Sequence, residues 1–121
     1  MDIVIITNNP DVAAAYPEIS RYYKGGVLVV FIALRDMIHQ GARLISHPLS
    51  GSVKPNESPY KSVAIAGGSS LDFKSLRMIE DAFAVLKKLP SKDHSYNKET
   101  LADFRLIDLE LIKGAIPCTM C

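Results

Sequence analysis

The stretch VLVVFIALRDMIHQG, residues 27–41, decides how this chain folds. Its first five residues, VLVVF, read equally well as strand or helix on their own. Leu28, Phe31, Ile32, Leu34, Arg35 and Ile38 then recur at the spacing of one helical face, and ALRDMIHQ continues that pattern. Gly41 follows, where a helix end favours a residue free to take positive φ. The stretch is therefore expected to form one mostly buried helix from Val27 to Gln40.

Strands are expected on both sides of that helix. Asp2 to Thr7 is a short β-branched run stopped by Asn8-Asn9-Pro10. Pro10 suits the first turn of a short helix capped by Asn9 and ended near Tyr16, because Pro17 intrudes. Ile19 to Gly26 reads as a connection in which Tyr22 and Tyr23 suit a short strand. After Gly41, Ala42 to Ser46 and Lys61 to Ala66 read as strands, and Gly67-Gly68 closes the second. Two amphipathic helices complete the chain. Ser69 with Asp72 forms a capping-box pattern ahead of Phe73, Leu76, Ile79, Phe83 and Leu86. Thr100 with Asp103 repeats it ahead of Leu101, Phe104, Ile107 and Leu111, with Gly114 as the stop. The segment between them, SKDHSYNK, reads as a solvated linker.

Strands alternating with longer helices predict an α/β fold. The expected form is a single domain over residues 1–115, with a small layered sheet of about three strands packed with about four helices. A flexible tail over 116–121 would follow. The link from the first strand to that at 42–46 contains helix, which favours a parallel arrangement of the two. Thr7-Asn8-Asn9 and Ser46-His47 would then share one end of the sheet, where such sheets bind ligands.

Composition narrows the function classes. The 121 residues are 48% hydrophobic and 22% charged, with 14 basic and 13 acidic side chains. A net charge of +1 leaves no footprint for nucleic acid or an anionic membrane surface. The amino terminus lacks the basic start and long apolar run of a secretion signal, and Val27 to Leu34 is too short to span a bilayer. The chain is expected to be cytoplasmic. Its only cysteines, Cys118 and Cys121, form a C-x-x-C at the end of the chain. No helix follows to activate a thiol and no further ligands complete a zinc site, so a dangling tail is favoured. No metal site and no cofactor are expected.

The long segment HPLSGSVKPNESPYKS, residues 47–62, is where chemistry is expected. Long loops without secondary structure are uncommon in compact domains and are often functional. Pro48, Pro55 and Pro59 stiffen this one. Ser50, Ser52, Lys54, Asn56 and Lys61 supply hydroxyl, amide and ammonium groups, and Gly51 lets the backbone approach a ligand. Together with Asn8, Asn9 and Arg35, such groups suit phosphate or carboxylate. The same residue types also satisfy a loop's own backbone, so binding and bracing both stay open. His47 is the candidate acid/base, with tethering of the loop as the plainer role. Neither a complete phosphate-loop motif nor the G-x-S-x-G elbow of a serine hydrolase is present.

TNNP near the start, RDMIHQG, and HPLSGSVKPNESPYKSV together resemble the GrdX family, over residues 3–9 and 35–63. The positions that carry the resemblance are Thr7, Asn8, Asn9, Arg35, Asp36, His39, Gly41, His47, Pro48, Ser50, Gly51, Ser52, Lys54, Pro55, Asn56, Pro59, Tyr60 and Lys61. The resemblance implies a cytoplasmic accessory protein encoded alongside glycine, sarcosine and betaine reductases in amino-acid-fermenting anaerobes. It implies no mechanism. Three readings follow from it and from the residues. In the first, a binding module uses Asn8, Asn9, Arg35, His47 and the loop to hold a small anionic metabolite or a carboxylate of a reductase subunit. In the second, a small enzyme acts on an acyl or phosphoryl substrate through His47. In the third, an adaptor or homodimer uses the apolar surface of Val27–Leu34.

Overall fold

A computed structural model describes residues 3–49, 58–88 and 96–116. Its elements run β1 (Ile3–Thr7), α1 (Pro10–Ala15), β2 (Ser20–Tyr22), α2 (Val27–His39), β3 (Arg43–Leu44), β4 (Ser62–Ala66), α3 (Phe73–Lys88) and α4 (Lys98–Ala115). The expected α/β fold is present, with four helices around a four-stranded mixed sheet rather than about three strands.

The sheet order is β2-β1-β4-β3. β2 pairs parallel to β1, and β4 pairs antiparallel to both β1 and β3. β1 and β3 thus point the same way, as the helical link between them suggests, but β4 lies between them. Thr7 is paired with Ser62 and Ile3 with Ala66, so the two ends of β4 lie at opposite ends of the sheet.

Side-chain alternation along the strands divides the core in two. Ile6, Val63 and Ile65 face α2 and α3, where they pack with Phe31, Leu34, Ile38, Ile79 and Phe83. Ile3, Ile5 and Ala64 face α1 and α4, where they meet Val12, Ile112 and Ile116. The result is a sheet with a pair of helices on each face. Ile116, expected as the first residue of the tail, belongs to this second core. Residues 117–121, including both cysteines, lie outside the described residues.

Four local expectations are corrected. Asp72 itself caps α3, its carboxylate accepting from Ser75 N at 3.3 Å. Ser69 therefore stands outside the helix rather than at its cap. The cap of α4 is Asn97, three residues before Thr100, and the helix begins at Lys98, because Asn97 Oδ1 accepts from Thr100 N at 2.8 Å. Gly114 lies within α4, which continues to Ala115. The buried stripes are also turned. On α2, Leu28 and Ile32 are 53% and 41% exposed while Val30, Phe31 and Leu34 are buried. On α4, Ile107 and Leu111 face solvent, and Asp108 and Ile112 face the sheet.

Gly41 ends α2 at φ +107°, in the left-handed region. A Cβ built there would lie 2.7 Å from the carbonyl oxygen of Gly68. The α2–β3 turn and the loop after β4 therefore press backbone on backbone at the Ala66 end of the sheet.

Candidate functional site

At the Thr7 end of the sheet, β1, β4, α1 and α4 converge on a closed polar network. Asp108, only 7% exposed, accepts Ser62 N at 3.0 Å on Oδ1. Its Oδ2 accepts Ser62 Oγ at 2.7 Å and Asn9 Nδ2 at 3.1 Å. Because Ser62 gives its hydroxyl proton to Asp108, Thr7 Oγ1 donates to Ser62 Oγ across 2.6 Å and itself accepts Asn9 N at 2.9 Å. Three donors on one carboxylate offset the cost of burying its charge.

Asn8 and Asn9 spend their amides on structure. Asn8 Nδ2 donates to the carbonyls of Gly25 and Pro59, each at 2.9 Å, and its Oδ1 accepts Lys61 N at 2.8 Å. Asn9 Oδ1 caps α1 through Asp11 N, and its Nδ2 reaches Arg105 O and Asp108. Neither amide has a donor left over for a ligand. Lys61 is buried beside this network. Burial pushes its pKa below the usual 10.5, and the Asp108 carboxylate offsets part of that effect. Arg105 closes the outer rim, donating to Tyr60 Oη at 3.0 Å and to Asp11 at 3.3 Å. Those bonds, Tyr60 first, hold its guanidinium still more firmly charged than usual.

His47 is exposed, and its Nδ1 accepts Leu49 N at 3.0 Å. The proton of the neutral ring is then on Nε2. His47 lines a cleft with Ser46, Ser62 and Asp108, not with Asn8. That cleft holds about 10 Å³, room for about one water. A histidine, a serine and a carboxylate thus share a wall, but Asp108 bonds to the serine. Arg35 lies on the α2–α3 layer, 4.4 Å over the Phe83 ring and 4.0 Å from Glu80. Ser50, Gly51, Ser52, Lys54 and Asn56 lie outside the described residues. Ser58 Oγ, at the loop's return, accepts from Tyr60 N.

The open space is at the opposite end of the sheet. Beyond Ala66 at the end of β4, a groove of about 290 Å³ is lined by Arg43 and by Gly67 to Asp72. A second groove of about 190 Å³ adjoins it across Gly67-Gly68 and contains Arg21, Met37 and Gln40. Gly68 is required by its contact with Gly41. Gly67 is not: a Cβ there would meet nothing within 4 Å, and its φ is not positive. Its bareness leaves peptide backbone open at the junction of the two grooves.

Sequence reasoning missed Asp108, Arg21 and Arg43. Asp108 was hidden because an acid on an amphipathic helix reads as its wet face. The row Asp108–Ile112–Ile116, at four-residue spacing, was the available signal. Arg21 and Arg43 sit on short edge strands, where isolated arginines carry no pattern. The pair Gly67-Gly68 between a strand and a helix was visible, but read only as a strand end.

Among the described residues, no group of three or more His, Cys, Asp or Glu side chains could hold a metal ion. Among them, too, no helix is long and apolar enough to cross a membrane. A family model described as GrdX-like protein matches residues 4–117, nearly the whole chain. Neither a curated protein nor a solved structure matches it.

Proposed function

This chain belongs to the GrdX-like family, and on that premise we propose that it is a non-catalytic accessory protein of glycine reductase-type systems that binds a small anion or carboxylate. The observation that carries the reading is the pair of adjoining grooves around Gly67-Gly68, with Arg43 in one and Arg21 in the other. A guanidinium binds carboxylate or phosphate with two parallel hydrogen bonds, and an exposed glycine backbone can add an amide donor. A groove of about 290 Å³ is on the scale of a small metabolite, at the lower edge of usual ligand pockets. The absence of catalysis is supported by the closed state of the Asp108 network, whose cleft has room for about one water.

This reading moves binding from the Asn8 end of the sheet to the Ala66 end. A ligand selective for the folded chain raises its melting temperature in a saturable way. The test is a thermal-shift panel of glycine, sarcosine, betaine, acetyl phosphate and inorganic phosphate. At least one of these stabilises the wild type, Arg43→Ala loses that response and Arg35→Ala keeps it. A panel in which none stabilises the protein, or in which Arg43→Ala responds as the wild type does, overturns the reading.

A further inference from the structure

Val27 to Leu34, the first two turns of α2, contains no polar side chain. Val30, Phe31 and Leu34 are buried against the sheet and α3. Leu28, Val29 and Ile32 face water on the other side. A helix apolar all round is normally covered all round. The amino end of α2 is also incomplete. Its N-cap, Gly26, offers no side chain, and no acid stands in the first turn. Lys24, exposed just before it, adds a further positive charge there. The nearest exposed acid on α2 is Asp36, one turn beyond Ile32 in the row Leu28–Ile32–Asp36. Among the described residues, neither Lys24 nor Asp36 forms an ion pair.

We propose that the outer face of α2 packs against α2 of a second copy of this chain, antiparallel about a two-fold axis between Leu28 and Ile32. The axis sets Leu28 against Ile32 of the second copy, and Ile32 against its Leu28. The same axis brings Asp36 of each copy to Lys24 and the uncapped amino end of the other α2. The acid missing from the first turn is thereby supplied in trans, twice per dimer. The charge order along the stripe, positive then apolar then negative, is self-complementary only in the antiparallel sense. The other apolar helix face differs. On α4, Leu106, Ile107 and Leu111 lie among Asp103 and Glu110, and Glu110 is already bonded to Lys113. A second copy docked there would meet like charge.

The test is sedimentation of the full chain over a range of concentrations. The wild type forms a dimer in reversible equilibrium with monomer. Ile32→Lys is monomeric throughout, with unchanged circular dichroism because the position is exposed. Lys24→Glu and Asp36→Lys each weaken the dimer about tenfold, as expected for two surface pairs turned from attractive to repulsive. The double variant Lys24→Glu/Asp36→Lys restores it, which apolar stickiness alone does not predict. A wild type monomeric at every concentration overturns the proposal and leaves the face to a different polypeptide. A dimer untouched by Ile32→Lys, or charge variants without mutual rescue, overturns this geometry.

Discussion

Asp108 on α4 and Ser62 at the start of β4 are bonded twice, the carboxylate accepting both the amide at 3.0 Å and the hydroxyl of the same serine at 2.7 Å. This pair fastens the last helix to the strand that begins where the long loop ends. Asp108→Ala would leave the Ser62 amide buried without this acceptor and Asn9 Nδ2 with Arg105 O alone, one of its two acceptors lost. The expected loss is about 3 kcal/mol of unfolding free energy, read from the urea midpoint at an unchanged m-value. Asp108→Asn keeps the shape but turns a donor toward Asn9 Nδ2 or Ser62 Oγ, so it should fall between the two. A loss below about 0.5 kcal/mol for Asp108→Ala, the range of an ordinary surface change, would remove the clamp as the explanation for this buried acid.

Three glycines at the other end of the sheet separate structural from functional need. Gly41 has a left-handed backbone and no room for a Cβ, and Gly68 is pressed against it. Gly41→Ala and Gly68→Ala should each cost about 1–3 kcal/mol. Gly67→Ala should change stability by no more than about 0.5 kcal/mol, because its Cβ enters open groove. If the groove binds an anion, Gly67→Ala should still blunt ligand-induced stabilisation. Thermal melts of the three variants, with and without the stabilising anion, read both effects.

The helices were legible where one rule acts alone. Asn9 followed by Pro10 forecast the start of α1, because a side-chain cap and a fixed φ agree there. The helix expected over 27–40, and found over Val27–His39, was legible because ALRDMIHQG sets its period, although the apolar first turns hid which side was buried. Elsewhere, tertiary contacts made the choice. Two capping residues competed before α3, and Asp72 won because Ser75 stands three residues on to bond it. A short strand is expected at Tyr22-Tyr23, and β2 instead runs over Ser20–Tyr22 because its backbone pairs with β1; two of its three residues are exposed, so no alternation fixed its bounds. For the loop, bracing and binding are both open from its residue types; at its return, Asn8 bonds Pro59 O and Lys61 N. The bracing bonds of Asn8 and Asn9 could not be read from the sequence, because their partners include residues as remote as Arg105 and Asp108.

Arg35 offers a clean control for the site. Its guanidinium stacks on Phe83 and sits at the outer limit of an ion pair with Glu80, both on α3. Arg35→Ala should cost about 0.5–1 kcal/mol, the worth of a half-exposed cation–π contact. Arg35→Lys should recover only part of this, because an ammonium cannot stack as a planar group does. Denaturant titrations give the stabilities. Neither change should alter the anion response, because Arg35 lines neither groove.

Lys61 makes a prediction about pH. It is 6% exposed, and burial lowers its pKa from 10.5 while Asp108 pulls it partly back. The folded chain therefore releases this proton at a lower pH than the unfolded chain does. Between the two pKa values the unfolded state binds more protons, so this residue's contribution to stability rises with pH. Below the folded value the contribution is flat, and above 10.5 it is flat again. Lys61→Met keeps the length and apolar stem but has no proton to lose. The wild type, measured against Lys61→Met by urea denaturation, should gain stability as pH is raised toward 10.5. Other lysines and tyrosines titrate alike in both proteins and cancel in the difference. A difference that stays constant with pH would mean that Lys61 keeps its charge as readily in the folded chain as in the unfolded one, and that its burial carries no electrostatic cost.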